Sequence, residues 1–153
     1  ARGMMWVLER IQHTNLTVPW EGKKEAIGYR TTRSKTKVKA KIKNGRPSIS
    51  IHIIAEGELS ESRIPINLAD TSLLFRLEKE LERSAKEDVT KAIKAAQREK
   101  TDVFGFGAAV HRAAPRLWKK IEKEWHDRYF PELDVTVTTD MHIRHTRMWD
   151  KPY

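Results

Sequence analysis

The stretch RSKTKVKAKIKNGRPSISIHIIA, residues 33–55, decides the fold. Its first half alternates without a break. Arg33, Lys35, Lys37, Lys39, Lys41 and Lys43 are cations, and Val38, Ala40 and Ile42 between them are apolar. A period of two is the period of a strand, whose successive side chains point to opposite faces. Asn44-Gly45 follows, and both central residues of a type I′ hairpin turn need the positive φ that Asn and Gly tolerate. A second alternating run, Ile49, Ile51, Ile53 and Ala55, completes a hairpin. The two-residue turn sets the register: Lys43 faces Arg46, Ala40 faces Ile49 and Val38 faces Ile51. The apolar faces then coincide, whereas a slip of one residue would set lysines against isoleucines on the core side. Pro47 falls opposite Ile42 at a non-hydrogen-bonded pair, where its missing N–H removes no ladder bond.

Working outward, the hairpin is followed by a long helix. Asp70 is placed to cap it, because its carboxylate can accept from the free N–H groups of the first turn. Leu74, Leu77, Leu81, Ala85, Val89, Ala92 and Ala96 recur at steps of three and four, one face of a helix over 71–99. Glu82–Lys86 and Glu87–Lys91 are spaced for i,i+4 pairs on its outer side. The segment 105–130 is also helical in period, with Val110, Ala114, Leu117, Trp118, Ile121, Trp125 and Tyr129 in one stripe. Pro115 is expected to kink it or to open a second helix at its first position, and Pro131 to stop it. A closing strand alternates again: Val135, Val137, Met141 and Ile143 face one way, and Thr136, Thr138, Asp140, His142 and Arg144 the other. Met4–Gln12, Leu16–Val18 and Ala26–Thr32 read as further strands. Strands, then helices, then one strand imply an α+β domain, a mostly antiparallel sheet with the long helix and the Pro-interrupted helical segment packed on it. The expectation is a single domain over 1–153.

Composition narrows the function. The chain has a net charge of +9, with 30 Lys and Arg against 21 Asp and Glu. Residues 1–50 hold 12 cations and 3 acids, and the rest of the chain is balanced. The basic character therefore belongs to the first third, and most of it to one face of one strand. There is no cysteine, which excludes disulfide scaffolds, thiol catalysis and Cys-based zinc sites. The longest apolar run, Met4–Leu8, is far short of the ~20 residues of a membrane-spanning helix, and shorter than a signal-peptide core of about 7–15 residues. The start at Ala1 reads as that of a processed chain or an excised part, with any targeting segment upstream.

The cationic face is the sharpest chemical feature. Six side chains, Arg33 to Lys43, project from it about 6.7 Å apart along the strand, and Arg46 joins them across the turn. Such a face suits anionic headgroups, an acidic partner or nucleic-acid phosphates; the plain alternative is a solvated face whose lysines discourage edge-to-edge pairing. Nucleic acid is the weakest of these, because no aromatic residue interleaves with the lysines. Asp102-Val103-Phe104-Gly105-Phe106-Gly107 contains a G-x-G, but Val110 stands where a dinucleotide-binding loop needs its third glycine. A Gly-rich helix start with Phe104 and Phe106 in the core is the better reading. The six histidines show no metal-ligand spacing, no nucleophile elbow occurs, and no carboxylate pair stands out. No cofactor, metal or catalytic residue is expected.

These residues carry a resemblance. DVFGFGAAVHRAAPRLWKKIEKEWHDRYFPELDVTVTTDMHIRHT, residues 102–146, resembles the C-terminal domain of the Ger(x)C family. The pattern is Asp102, Phe104-Gly105-x-Gly107, His111, Pro115, Trp118, Trp125, Phe130-Pro131 and the strand ending in Ile143-Arg144. ISIHIIAEGELSE, residues 49–61, and the opening Arg2-Gly3-Met4-Met5-Trp6 are similar too. The family comprises the C subunits of spore germinant receptors. The resemblance implies the third domain of a lipoprotein. It implies anchoring through a lipidated cysteine upstream of this chain, on the outer face of the inner spore membrane. It also implies a non-enzymatic role beside integral-membrane A and B subunits, in receptor assembly and nutrient-triggered germination. A basic nucleic-acid-binding module is the alternative from a different class.

Overall fold

The computed structural model describes residues 16–20, 23–62, 67 and 69–144. The hairpin predicted from 33–55 is its backbone. β1 (Leu16–Trp20), β2 (Lys23–Lys43) and β3 (Arg46–Ser62) form an antiparallel meander, and β4 (Asp134–Ile143) adds to β3 in parallel. The sheet order is β1-β2-β3-β4. Asn44 and Gly45 take φ of 55° and 76°, the conformation a two-residue hairpin turn demands. Lys43 pairs with Arg46, Ala40 with Ile49 and Val38 with Ile51, as the alternation requires.

β2 is longer than the alternation suggests. It extends back to Lys23, so the separate strand expected over Ala26–Thr32 is the same strand. Register shifts at Gly28/Tyr29 and Thr31/Arg33 insert residues that break the period of two and hide the continuity. The strand expected at Met4–Gln12 lies outside the described residues.

One face of the sheet is apolar and carries the helices. Ile49, Ile51, Ile53 and Ala55 of β3 and Val137, Met141 and Ile143 of β4 are buried there. α1 (Thr71–Arg98) packs on them through Leu74, Leu77, Leu81, Ala85, Val89, Ile93 and Ala96. Ile93 takes the buried place that the stripe assigned to Ala92, which is only half-buried. Asp70 caps α1 by accepting from the Leu73 N–H at 3.2 Å.

α1 runs antiparallel to β4 and closes its free edge. The Glu78 carboxylate accepts from the Ile143 N–H at 2.8 Å, and the Glu82 carboxylate from the Met141 N–H at 3.1 Å. The Thr139 hydroxyl donates to the Glu82 carbonyl, and the Gln97 amide donates to the carbonyls of Phe130 and Leu133 at the far end. An edge strand presents unpaired N–H groups, and covering it with a helix is one way of making it unavailable to other chains. Glu82 therefore turns to the sheet and to Lys79 rather than to Lys86. Arg83 holds Glu80 and Glu87 instead.

The helical segment after α1 is more broken than its period predicts. α2 (Phe106–Ala113) ends at Ala114, and Pro115 opens α3 (Pro115–Ile121) at its first position, where no N–H is needed. A 3₁₀ turn over Glu122–Glu124 and a π turn over Trp125–Tyr129 follow. These changes of pitch keep Ile121, Trp125 and Phe130 buried together. α2 lies over Val38 and Ala40 of β2. Among the described residues, no helix is long and apolar enough to cross a membrane.

Candidate cationic face and the Asp102 cluster

Among the described residues, the other face of the sheet bears no helix. Its cross-strand rows follow from the register: Lys37, His52 and Thr138 form one row, Lys39, Ser50 and Thr136 the next, and Lys41, Ser48 and Asp134 the last. Arg33, Lys35, Lys37, Lys39, Lys41 and Lys43 are all exposed on this face, with Arg46 beside them past the turn. Among the described residues, no carboxylate lies within 4.0 Å of any of these seven cations.

Three acids of the face are engaged away from the lysines. Glu58 pairs with Arg30, Glu56 with Arg144 at 3.3 Å, and Asp140 with His52, whose Nε2 lies 2.5 Å from the carboxylate. The His52–Asp140 contact is absent from the sequence reading. It depends on β4 lying parallel to β3, and alternation gives the face of a strand but not its neighbour. The chemistry available here is diffuse: positive charge on long flexible stems, with no nucleophile–base pair among the described residues. Among the described residues, no cluster of three His, Cys, Asp or Glu side chains could hold a metal.

The G-x-G segment is built as a packing site. Asp102 accepts from the Phe106 N–H at 3.1 Å and from the Gly107 N–H at 2.8 Å, so its carboxylate occupies the start of α2. The same carboxylate accepts from the Trp125 Nε1–H at 2.9 Å. A phosphate would have to compete with this internal anion. Gly107 is needed for close approach: a Cβ there would lie 2.8 Å from the Trp118 ring and 3.0 Å from Trp125 Nε1. Trp118 meets Trp125 edge-on at 5.3 Å and stacks on His111 at 5.9 Å, while Trp125 packs against Phe130. The spacing Asp102, Gly107, His111, Trp118, Trp125, Phe130 is thus the footprint of one cluster that locks α2 to the turns after α3.

The Tyr29 hydroxyl donates to the carbonyl of His142 at 3.0 Å, tying β2 to the end of β4. Burial is the main cause that pushes its phenol well above the usual tyrosine range, and the nearby Glu78 and Glu56 carboxylates add to it.

Comparisons with known proteins agree with this arrangement. The family described as "Spore germination B3/ GerAC like, C-terminal" matches residues 1–147. Spore germination protein KC of Bacillus subtilis (strain 168) is 31% identical over 150 residues, which cover 98% of this chain and 37% of that protein. Spore germination protein B3 of the same organism is 32% identical over 133 residues, 86% of this chain and 35% of that protein. Among solved structures, the crystal structure of the GerBC protein superimposes with a TM-score of 0.75 at 26% identity. The match covers 94% of this chain and 44% of that one. The chain therefore spans less than half the length of the relatives it matches.

Proposed function

Because the chain belongs to the family of spore germination B3/GerAC-like C-terminal domains, we propose that it is the non-enzymatic interaction domain of a germinant receptor C subunit. In this reading it supports receptor assembly with the integral-membrane A and B subunits, and so the nutrient signal that starts germination. It would work at the outer face of the inner spore membrane, held there by a lipid anchor on a segment upstream of the sequence given.

The observation that carries the reading is the row of seven cations, Arg33 to Arg46, which no described carboxylate neutralises, on a sheet face that bears no helix among the described residues. Its chemistry favours a membrane surface over a protein surface. Protein interfaces are enriched in aromatic residues and Arg and depleted in Lys, whereas this row is five lysines to two arginines with no aromatic ring among them. Lysines on flexible stems suit a fluid layer of anionic headgroups. The nucleic-acid alternative is not favoured, because stacking platforms for bases need aromatic rings on the basic face.

The test is made in spores. A full-length C subunit carrying Lys35→Glu, Lys37→Glu, Lys39→Glu and Lys41→Glu is expected to accumulate at normal level. Nutrient germination should be slowed, and fewer A and B subunits should be recovered with it. Normal germination with normal subunit recovery would show that the face has no part in the receptor.

A further inference from the structure

One end of the cationic face is concave. A groove of about 760 Å³ opens where the hairpin tip meets the 128–134 turn and the start of β4. The register explains it. The central strand β3 presents only small hydroxyls here, Ser48 and Ser50, with Thr136 beside them on β4. One row further along, His52 fills the centre of the sheet.

The groove is electrically polarised. On the hairpin side stand Lys41, Lys43 and Arg46; on the opposite side stand Glu132 and Asp134, all exposed. Neither acid has an ion-pair partner among the described residues, and neither have the three cations. Arg128 also lines the groove, but its guanidinium is held by Glu124 at 3.2 Å and lies over the Tyr129 ring, so it adds little charge to the acidic side. The two walls rise from strands separated by one intervening strand, which sets them about 10 Å apart at the backbone. Lys41 and Asp134 are long enough together to reach across that gap, yet they form no ion pair with each other: each is left facing the groove.

We propose that this groove is a binding site for a small zwitterion of roughly tripeptide length. Its anionic end would sit against Lys41, Lys43 and Arg46, its ammonium end against Glu132 and Asp134, and its middle over the hydroxyls of Ser48, Ser50 and Thr136. Three extended residues span about 10 Å, which matches the separation of the walls. The groove volume falls in the usual range for small-molecule sites. The site is independent of whether the rest of the face meets a membrane.

The experiment titrates the chain with triglycine and follows backbone amides by NMR. Saturable shifts centred on Ser48, Ser50 and Thr136 are expected. N-acetyl-triglycine lacks the cation and triglycine amide lacks the anion; each should bind about tenfold more weakly or worse, since each loses its charge-assisted contacts at one wall. Lys41→Glu with Lys43→Glu and Arg46→Glu should abolish the shifts. Adding Glu132→Lys and Asp134→Lys to that variant inverts the groove and should restore them with the peptide reversed. Absence of saturable shifts, equal binding of N-acetyl-triglycine, or failure of the inverted groove to bind would each overturn the proposal. Both variants change exposed side chains only, and the same spectra report whether they are folded.

Discussion

The outer side of α1 and the outer face of β2 are both charged, yet they use charge in opposite ways. α1 interleaves seven cations with five acids over 28 residues. Its acids pair along the helix or reach across to the sheet: Arg83 holds Glu80 and Glu87, and Glu78 and Glu82 close the edge of β4. From residue 33 to 43, β2 carries six cations and no acid, and none of those cations is neutralised by a described residue. The glutamates of α1 are committed to the fold, and the cations of β2 are left facing outward. Substitutions on the two faces should therefore separate stability from binding.

The largest effect is expected on the strand. Each Lys held near an anionic bilayer contributes about 1 kcal/mol. Reversing Lys35, Lys37, Lys39 and Lys41 to Glu should weaken binding to phosphatidylglycerol vesicles by at least ~10³-fold at low salt. The urea midpoint of the same variant should move little, because the four side chains make no described ion pair whose loss the fold would register. Sedimentation with vesicles and a denaturation curve check both halves. Binding that survives the reversal would mean the strand's charge is only solvated, as on any soluble surface.

The helix should answer the other way. Glu78→Ala with Glu82→Ala removes the acceptors of the Ile143 and Met141 N–H groups. Hydrogen bonds to a charged partner contribute about 1.5–3 kcal/mol each. Partial rescue of the edge by water brings the expected loss for the double variant to about 2–4 kcal/mol. Vesicle binding should stay at the level of the unaltered chain. A double variant of unchanged stability would show that the edge of β4 does not need its helix.

This division was only partly legible in the sequence. The hairpin could be read completely from 33 to 55, because alternation and Asn44-Gly45 fix both face and register locally. The α1 stripe was equally plain, with Ile93 standing one position from the expected Ala92. What could not be read are the relations that depend on distant partners. The period of β4 gives its buried face, but nothing local states that it lies parallel to β3, which starts 88 residues earlier. The His52–Asp140 pair, the capping by Glu78 and Glu82, and the rows that form the groove at Ser48 and Ser50 all follow from that one placement. Bulges in β2 and the changes of helical pitch after Ile121 escape a periodic reading for the opposite reason: they are local departures from period, imposed by the packing of Tyr29, Trp125 and Phe130.

The smallest effect concerns Tyr29, where the two faces meet, since Glu78 of α1 and Glu56 of β3 both act on its phenol. Tyr29→Phe removes the hydroxyl that donates to the His142 carbonyl, and should cost about 1 kcal/mol at neutral pH. Its pH dependence gives the sharper check. Burial and the two carboxylates raise the phenol's pKa in the folded protein above that of the unfolded chain, which is about 10. Below about pH 10 both states keep the proton, and the difference between the two proteins is constant. Above it the unfolded chain ionises while the folded one does not, so the unfolded state binds fewer protons and the stability that Tyr29 provides falls as pH rises. The unfolding curves of the two proteins should therefore converge in alkali, and a gap that stays constant through pH 11 would mean that Tyr29 ionises as easily inside the sheet as outside it.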